Sequence, residues 1–199
     1  MNTKNIKIRK ANFSDIEKIA KLIYYTEANP IDVWGGESKA QTLENLKTLI
    51  RGKESRYSTD YITVAELDKK VVGAIILIPY YKLDKLSIET DLKQIKKIEG
   101  FTEKILYIFN SIKYMIFREC RRGDLYISNI ATDEKARGLG VGKILMLHAE
   151  QVAKKEDFEG ISLLAKNEKV TKFYEKLNYS KIFDRVILGE RVIKMAKVI

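Results

Sequence analysis

The stretch Leu125-Tyr126-Ile127-Ser128-Asn129-Ile130-Ala131-Thr132, then Arg137-Gly138-Leu139-Gly140-Val141-Gly142, runs into an apolar-striped segment. That order predicts a strand, a glycine turn and a helix. Glycines at alternate positions ahead of a helix leave bare backbone at an end where N–H groups lack intrahelical partners and the helix dipole is positive. Phosphate is stabilised at such an end. The chain is therefore expected to bind a phosphorylated cofactor.

Spacing narrows the choice. A dinucleotide fingerprint begun at Gly138 needs glycine at 143 and meets Lys143; begun at Gly140 it needs glycine at 145 and meets Leu145. A triphosphate loop ending in Gly142-Lys143 needs glycine at 137 and a hydroxyl residue at 144, where Arg137 and Ile144 stand. The pattern left is R-x-x-G-x-G.

On a strand-loop-helix unit that pattern resembles the pyrophosphate loop of the GNAT superfamily, the acyl-CoA-dependent N-acyltransferases. The likeness continues through a second short apolar run, Gly160–Ala165, into Asn167-Glu168-Lys169-Val170-Thr171-Lys172-Phe173-Tyr174-Glu175-Lys176-Leu177-Asn178-Tyr179. This is similar to the family block N-x-x-A-x-x-x-Y-E-K-x-G-F, with Val170 in place of alanine and Asn178-Tyr179 in place of glycine and phenylalanine. Asparagine tolerates a left-handed helix end better than most residues, so the second departure is mild. The specific part of the match spans 124–183. It implies an α/β fold: a strongly twisted mixed sheet of six or seven strands with helices on both faces, opened by a splayed cofactor strand.

Composition is consistent with one domain over 1–199. With 199 residues and 45% hydrophobic content the chain can bury one substantial core. The basic start is followed by no apolar run of signal or membrane-spanning length, so a cytoplasmic setting and no membrane partner are expected. Cys120 is the only cysteine and His148 the only histidine. No disulfide and no metal are expected. The net charge of +10 can mean nucleic acid, a membrane surface, an anionic cofactor, or merely a solvated lysine-rich surface. Residues 165–199 carry nine lysines and arginines against four acids, which puts half the excess beside the expected cofactor loop. No nucleic-acid recognition module accompanies the charge.

Elsewhere, Ile6–Arg9 alternates like a strand, and Ser14-Asp15-Ile16-Glu17 has capping-box spacing before the stripe Ile16, Ile19, Ala20, Ile23, Tyr24. A helix is expected over about 38–50, a hairpin from 61–67 and 71–78, and closing strands at 180–183 and 191–195. Residues 84–122 stand between hairpin and cofactor strand as a helical insertion, with Ile105, Ile108, Phe109, Ile112, Met115 and Ile116 at helical spacing. Such an insertion would cover an acceptor site or form a homodimer interface.

The chemistry implied by the resemblance is transfer of an acetyl group from acetyl-CoA to a primary amine by direct attack on the thioester. Three things are needed: a polarised thioester, a deprotonated amine, and a proton for the departing thiolate. Ile130, Ala131 and Thr132 match the strand segment that binds the pantetheine arm, and the N–H near Ile130 would polarise the thioester oxygen. Gly138, Leu139, Gly140, Val141, Gly142 and Lys143 would hold the pyrophosphate, with Arg137 adding a charged contact. Tyr174 is the expected general acid: a phenol of pKa ~10 can protonate a thiolate whose conjugate acid lies near ~8.5. Its place in the stripe Val170, Phe173, Tyr174, Leu177 also suits an ordinary core aromatic. Asn167 would bond cofactor amides, cap its helix, or do both.

Some relatives carry a glutamate on the cofactor strand where this chain has Tyr126 and Ser128, so no general base is assigned; Glu27 acting through water is one candidate. His148 reads as a packing residue. Tyr24, Tyr25, Trp34, Tyr80 and Tyr81, with Glu27, Asp32 and Glu37, are candidates to face a small-molecule or peptide amine acceptor. The alternative is a catalytically silent acyl-CoA-binding module, favoured by the missing strand carboxylate.

Overall fold

The computed structural model describes residues 5–98, 100–102, 104–105, 107–109, 118–187 and 190–199. Seven strands form one mixed sheet: β1 (Lys7–Lys10), β2 (Ile62–Leu67), β3 (Lys70–Pro79), β4 (Asp124–Thr132), β5 (Gly160–Ala165), β6 (Ser180–Ile187) and β7 (Glu190–Val198), in spatial order β1-β2-β3-β4-β5-β7-β6. Every pairing is antiparallel except β4 with β5. The helices are α1 (Ile16–Tyr24), α2 (Pro30–Trp34), α3 (Lys39–Arg51), α4 (Tyr80–Ile95), α5 (Val141–Lys155) and α6 (Glu168–Glu175).

Two-residue alternation sorts the strands between two cores. In β3, Val71, Ala74, Ile76 and Ile78 join a cluster with α1, α2 and α3, while Ile75 and Leu77 join a second with α5 and Tyr174. Helices thus cover both faces, as expected. The α1 stripe Ile16, Ile19, Ala20 and Ile23 is buried in the first cluster. At roughly 1.5–3 kcal/mol per large side chain, that burial rather than intrinsic propensity fixes α1.

Its N-terminal signal differs from the expected one. The reciprocal cap is built by Asn12 and Asp15, which bracket a turn of 3-10 helix at Phe13–Asp15, and not by Ser14 and Glu17. The reason is Arg9: its guanidinium engages both oxygens of Asp15, at 2.6 and 2.9 Å, and pulls that carboxylate into the cap. Ser38 caps α3 by accepting the Gln41 N–H. At the end of α6, Asn178 adopts φ +64°, and the Tyr179 and Asn178 N–H groups return to the Tyr174 and Glu175 carbonyls. This is a Schellman end with asparagine in the glycine position.

Helix α4 follows β3 without a break, from Tyr80 rather than residue 84. Helical residues recur among those described between 101 and 109, whereas Ile112, Met115 and Ile116 lie outside the described residues.

Gly73 on β3 sets the height of α5 above the sheet. A Cβ there would lie 2.7 Å from Val141 and 3.1 Å from Leu145, the first turns of α5, and 3.2 Å from the Ala131 carbonyl. Gly73→Val is therefore expected to destabilise the fold by about 1–3 kcal/mol through overpacking. It should also displace the start of α5; urea unfolding and cofactor titration of the same sample would measure both effects.

Candidate functional site

Strand β4 keeps company with β5 only over Asp124–Ile127, paired with Gly160–Leu163. Beyond Ile127 the two diverge, and residues 129–132 pair with β3 alone. A bulge marks the divergence, because Ile76 faces Asn129 while Leu77 faces Ile127, leaving Ser128 as the extra residue. Its effect on side chains is visible in the cores: Ile127 and Ile130 share one face although two residues stand between them, a spacing that would put them on opposite faces of a regular strand. Ser128 and Asn129 consequently both point to the α1 face.

Backbone directions follow from the ladder. The Asp133 N–H donates to the Val72 carbonyl at 2.8 Å, which makes that pair hydrogen-bonded. Alternation then assigns Ala131 and Ala74 to the next such pair and turns the polar groups of Ile130 and Thr132 toward the side that β5 has left. Of the three strand residues singled out from the sequence, Ile130 and Thr132 present an open edge to an extended ligand. Ala131 does not; its backbone pairs with β3, and its side chain packs on the α1 core.

The strand leads into the loop through Asp133, which accepts the Lys135 N–H at 2.9 Å and meets Lys18 of α1 with its other oxygen. That lysine holds the Asp133 carboxyl below its ordinary value. Gly138 (φ +81°) and Gly140 (φ +75°) are left-handed, a conformation costing other residues roughly 1–2 kcal/mol. Gly140 is the N-cap of α5 and has no side chain to cap it, so the Val141, Gly142 and Lys143 N–H groups have no intrahelical partner. The first bond of the helix runs from Ile144 N–H to the Gly140 carbonyl, at 3.0 Å. A Cβ at Gly138 would meet nothing within 4 Å. Open space beside three free N–H groups at a positive helix end suits a diphosphate.

The flanking side chains differ in readiness. Leu139 and Val141 pack into the second core, whereas Lys143 is exposed. Arg137 is 71% exposed and donates to Glu134 at 2.7 Å. A surface pair of that kind is worth ~1 kcal/mol or less, so Arg137 can exchange partners at little cost. Opposite the helix start, the Phe173 ring and the Thr132 methyl lie 3.5 and 3.8 Å from where a Gly142 Cβ would be. Helix α6 thereby closes on the loop.

Asn167 caps α6, its side-chain oxygen accepting the Val170 N–H at 3.1 Å. Tyr174 is 4% exposed, with ring centroids 5.3 Å from Phe173 and 6.1 Å from Tyr179. Among the described residues its hydroxyl has no hydrogen-bond partner, and burial pushes the phenol well above its ordinary pKa. The group is thus protonated at neutral pH and uncommitted, although its ring belongs to the core.

On the α1 face of the bulge lies a polar network the sequence did not announce. Arg56, in the loop after α3, grips Glu119 at 3.1 and 2.8 Å and donates to Ser128 Oγ at 3.2 Å. Tyr126 donates to the same Glu119 at 2.5 Å. Burial raises the Glu119 pKa, but the Arg56 charge and these hydrogen bonds outweigh it and hold the carboxyl below its ordinary value. The Ser128 hydroxyl donates a hydrogen bond to Asn129 Oδ1 at 3.0 Å, and Asn129 Nδ2 donates to Thr26 Oγ1 at 3.0 Å and Glu27 Oε1 at 3.4 Å. The consecutive polar residues Ser128-Asn129 inside an apolar strand were the one available signal of a bulge.

Other expected acceptor residues scatter. Trp34 is wholly buried against Tyr57, and Tyr25 takes a hydrogen bond from Lys39. Tyr80 and Tyr81 sit at the far end of β4, beside Gly123 and Glu156–Glu159, because they follow the end of β3 that pairs with Leu125. Asp32 lies in α2, and Glu37 follows it, its N–H donating to Gln41 Oε1 at 3.0 Å. His148 is half-buried, and burial with nearby Lys10 lowers its pKa. Much of the basic excess near the C-terminus is paired: Arg191 and Lys181 with Asp184 and Glu168, and Lys197 with Glu150. Among the described residues no cluster of histidine, cysteine or carboxylates suits a metal, and no helix is long and apolar enough to cross a membrane.

Three comparisons bear on this architecture. No curated protein is detectably similar in sequence. The fold is shared with an N-acetyltransferase from Staphylococcus aureus Mu50, at 22% identity and TM-score 0.71, covering 96% of this chain and 100% of that one. It is also shared with a Drosophila melanogaster polyamine N-acetyltransferase that forms N-acetylagmatine, at 15% identity and TM-score 0.62, covering 98% and 100%. The acetyltransferase (GNAT) family model matches residues 24–179, a span from the end of α1 through the splayed strand, the glycine loop and Tyr174 to Tyr179, and the chain belongs to that family.

Proposed function

We propose that this enzyme moves an acetyl group from acetyl-CoA to the primary amine of a small-molecule or peptide acceptor in the cytoplasm, without a metal. One observation carries the reading: the open edge of β4 at Ile130 and Thr132 runs on into the bare N-terminus of α5, giving one line of unpaired backbone groups. Acetyl-CoA, when bound, supplies the acetyl group as an activated thioester and leaves as a thiol. The Ile130 N–H would polarise the thioester oxygen, and the edge groups of Thr132 would bind the pantetheine arm. N–H groups from Gly138 to Lys143, with Arg137, would take the pyrophosphate, and Asn167 would bond the cofactor's amides. Tyr174 would give its proton to the departing sulfur. For the acceptor, Glu27 at the bulge and the N-acetylagmatine-forming neighbour together support a cationic amine.

A thermal-shift titration with acetyl-CoA, CoA, NAD and ATP tests the cofactor, and a panel of primary amines tests the reaction. Only the two CoA species should stabilise the protein, by about 2.7 kcal/mol at a hundred times Kd. Gly140→Asp, a residue that tolerates the left-handed conformation, places a carboxylate at the helix start and should abolish the shift. Stabilisation by NAD or ATP instead, or none by CoA in protein free of copurified ligand, would overturn the assignment.

A further inference from the structure

Residues 128–132 owe their usefulness to phase. Because strand backbone alternates, losing the extra residue would slip 129–132 by one against β3, pair Ile130 with Ala74, turn the Ile130 N–H from the open edge into β3 and carry every later side chain to the other face. Something must fix the bulge at Ser128, and the apolar packing of Ile130 and Ala131 on opposite faces does so only after the choice is made. The group that touches the extra residue directly is Arg56.

We propose that Arg56, clamped by Glu119, is a positioning residue for acyl transfer, holding the Ser128 bulge so that the Ile130 N–H faces the open edge. The proposal rests on the acetyltransfer reading above. Its geometry is specific. The guanidinium forks onto both Glu119 oxygens, donates to Ser128 Oγ and reaches Ser87 Oγ at 3.4 Å, while the Arg56 backbone N–H is held by Thr90 Oγ1 at 3.0 Å. Glu119 Oε2, already engaged by Arg56, also accepts from Tyr126, two residues before the bulge. Chain segments 63 and 72 residues apart therefore meet on one strand position.

Stability is a poor reason for such an arrangement. Side chains at 17% and 11% exposure give up most of their hydration, and a buried ion pair seldom outperforms an apolar replacement. What the pair does offer is direction: a planar fork with fixed donors defines where Ser128 must sit. Ser128 relays that constraint to Asn129, and Asn129 to the end of α1 at Thr26 and Glu27. The clamp thus ties the acceptor side of the strand to the same register as its cofactor side. Glu119 stands near the C-terminal end of the segment between β3 and β4, so that segment acts on the bulge through Arg56.

The test uses three variants of the full chain: Arg56→Lys, which keeps the charge and loses the fork, Glu119→Gln, and Ser128→Ala, which leaves the Arg56–Glu119 pair intact and removes the Arg56 contact at the bulge together with the relay to Asn129. Hydrogen exchange of a peptide spanning 126–132 should quicken about tenfold in each while the α5 peptide is unchanged. Turnover should fall about 10- to 100-fold with KM for acetyl-CoA within about twofold, since misplacing a reacting group by an ångström can cost that much. Wild-type exchange and turnover in Ser128→Ala would overturn the proposal. So would losses of turnover, CoA affinity and thermal midpoint in equal step, which would make the pair merely structural. Should Arg56→Lys fail to fold, Ser128→Ala still decides. A wild type that binds CoA yet acetylates no amine would remove the acetyltransfer reading, while the exchange comparison would continue to judge the clamp by itself.

Discussion

Tyr174→Phe should lower kcat by about 100-fold or more while leaving KM for acetyl-CoA within about twofold, the signature of a general acid that acts after binding. The variant removes one oxygen and leaves the ring. Ring contacts with Phe173 and Tyr179 survive, so the core that Tyr174 helps to fill is kept. No hydrogen bond is lost either, because the hydroxyl makes none among the described residues. The thermal midpoint is therefore expected to hold or rise slightly, which separates a catalytic loss from a folding one. The pH profile gives a second check. Burial keeps the phenol protonated well past its ordinary value, so the wild type should show no alkaline loss from this group below about pH 10. Unchanged kcat in Tyr174→Phe would make the residue a core aromatic and nothing more.

The largest effect on stability is expected at the other face of the sheet. Trp34→Ala should cost about 3–5 kcal/mol, a large share of the 5–15 typical of a folded domain. Trp34 is 0% exposed, set between Tyr57 at 5.8 Å and Tyr24 at 6.3 Å. Few neighbours can move into the space it would leave: Gly35 and Gly36, both at positive φ, fix the chain just behind it, and Asn45 holds its carbonyl at 3.1 Å. Urea unfolding followed by circular dichroism is the suitable measurement, since Trp34 is also the only tryptophan. A loss under 1 kcal/mol would mean that the cluster repacks.

How much of this was legible beforehand depends on how local the signal is. Strand, turn and helix around Gly138–Gly142 were readable because alternation, left-handed glycines and an apolar stripe are properties of short windows. The Asn178 helix end was readable for the same reason. The α1 cap was misplaced since its deciding partner, Arg9, belongs to the preceding strand, where no window centred on Ser14 could find it. Trp34 reads as acceptor-facing from its loop-like surroundings of Asn29-Pro30 and Gly35-Gly36, although those residues bracket the short helix α2, whose last residue turns into the core. Tyr80 and Tyr81 were misassigned because distance along β3 carries them away from the bulge, a fact of sheet register rather than of composition. Arg56 with Glu119 was beyond reach: a pair 63 residues apart leaves no trace in a single sequence.

The short β4–β5 ladder has a mechanical meaning. A ladder of only four residue pairs joins the half-sheet β1-β2-β3-β4 to the half-sheet β5-β7-β6, and the seam opens toward the glycine loop. Such a seam is the natural place for the molecule to breathe, because parting it breaks fewer backbone bonds than parting any longer ladder. A molecule wedged between the diverging strands would act as a rivet across the seam. Ligand binding would then be felt as stiffness on both sides of the crack, well beyond the residues in contact with the ligand, and an empty enzyme would be a softer object than a loaded one.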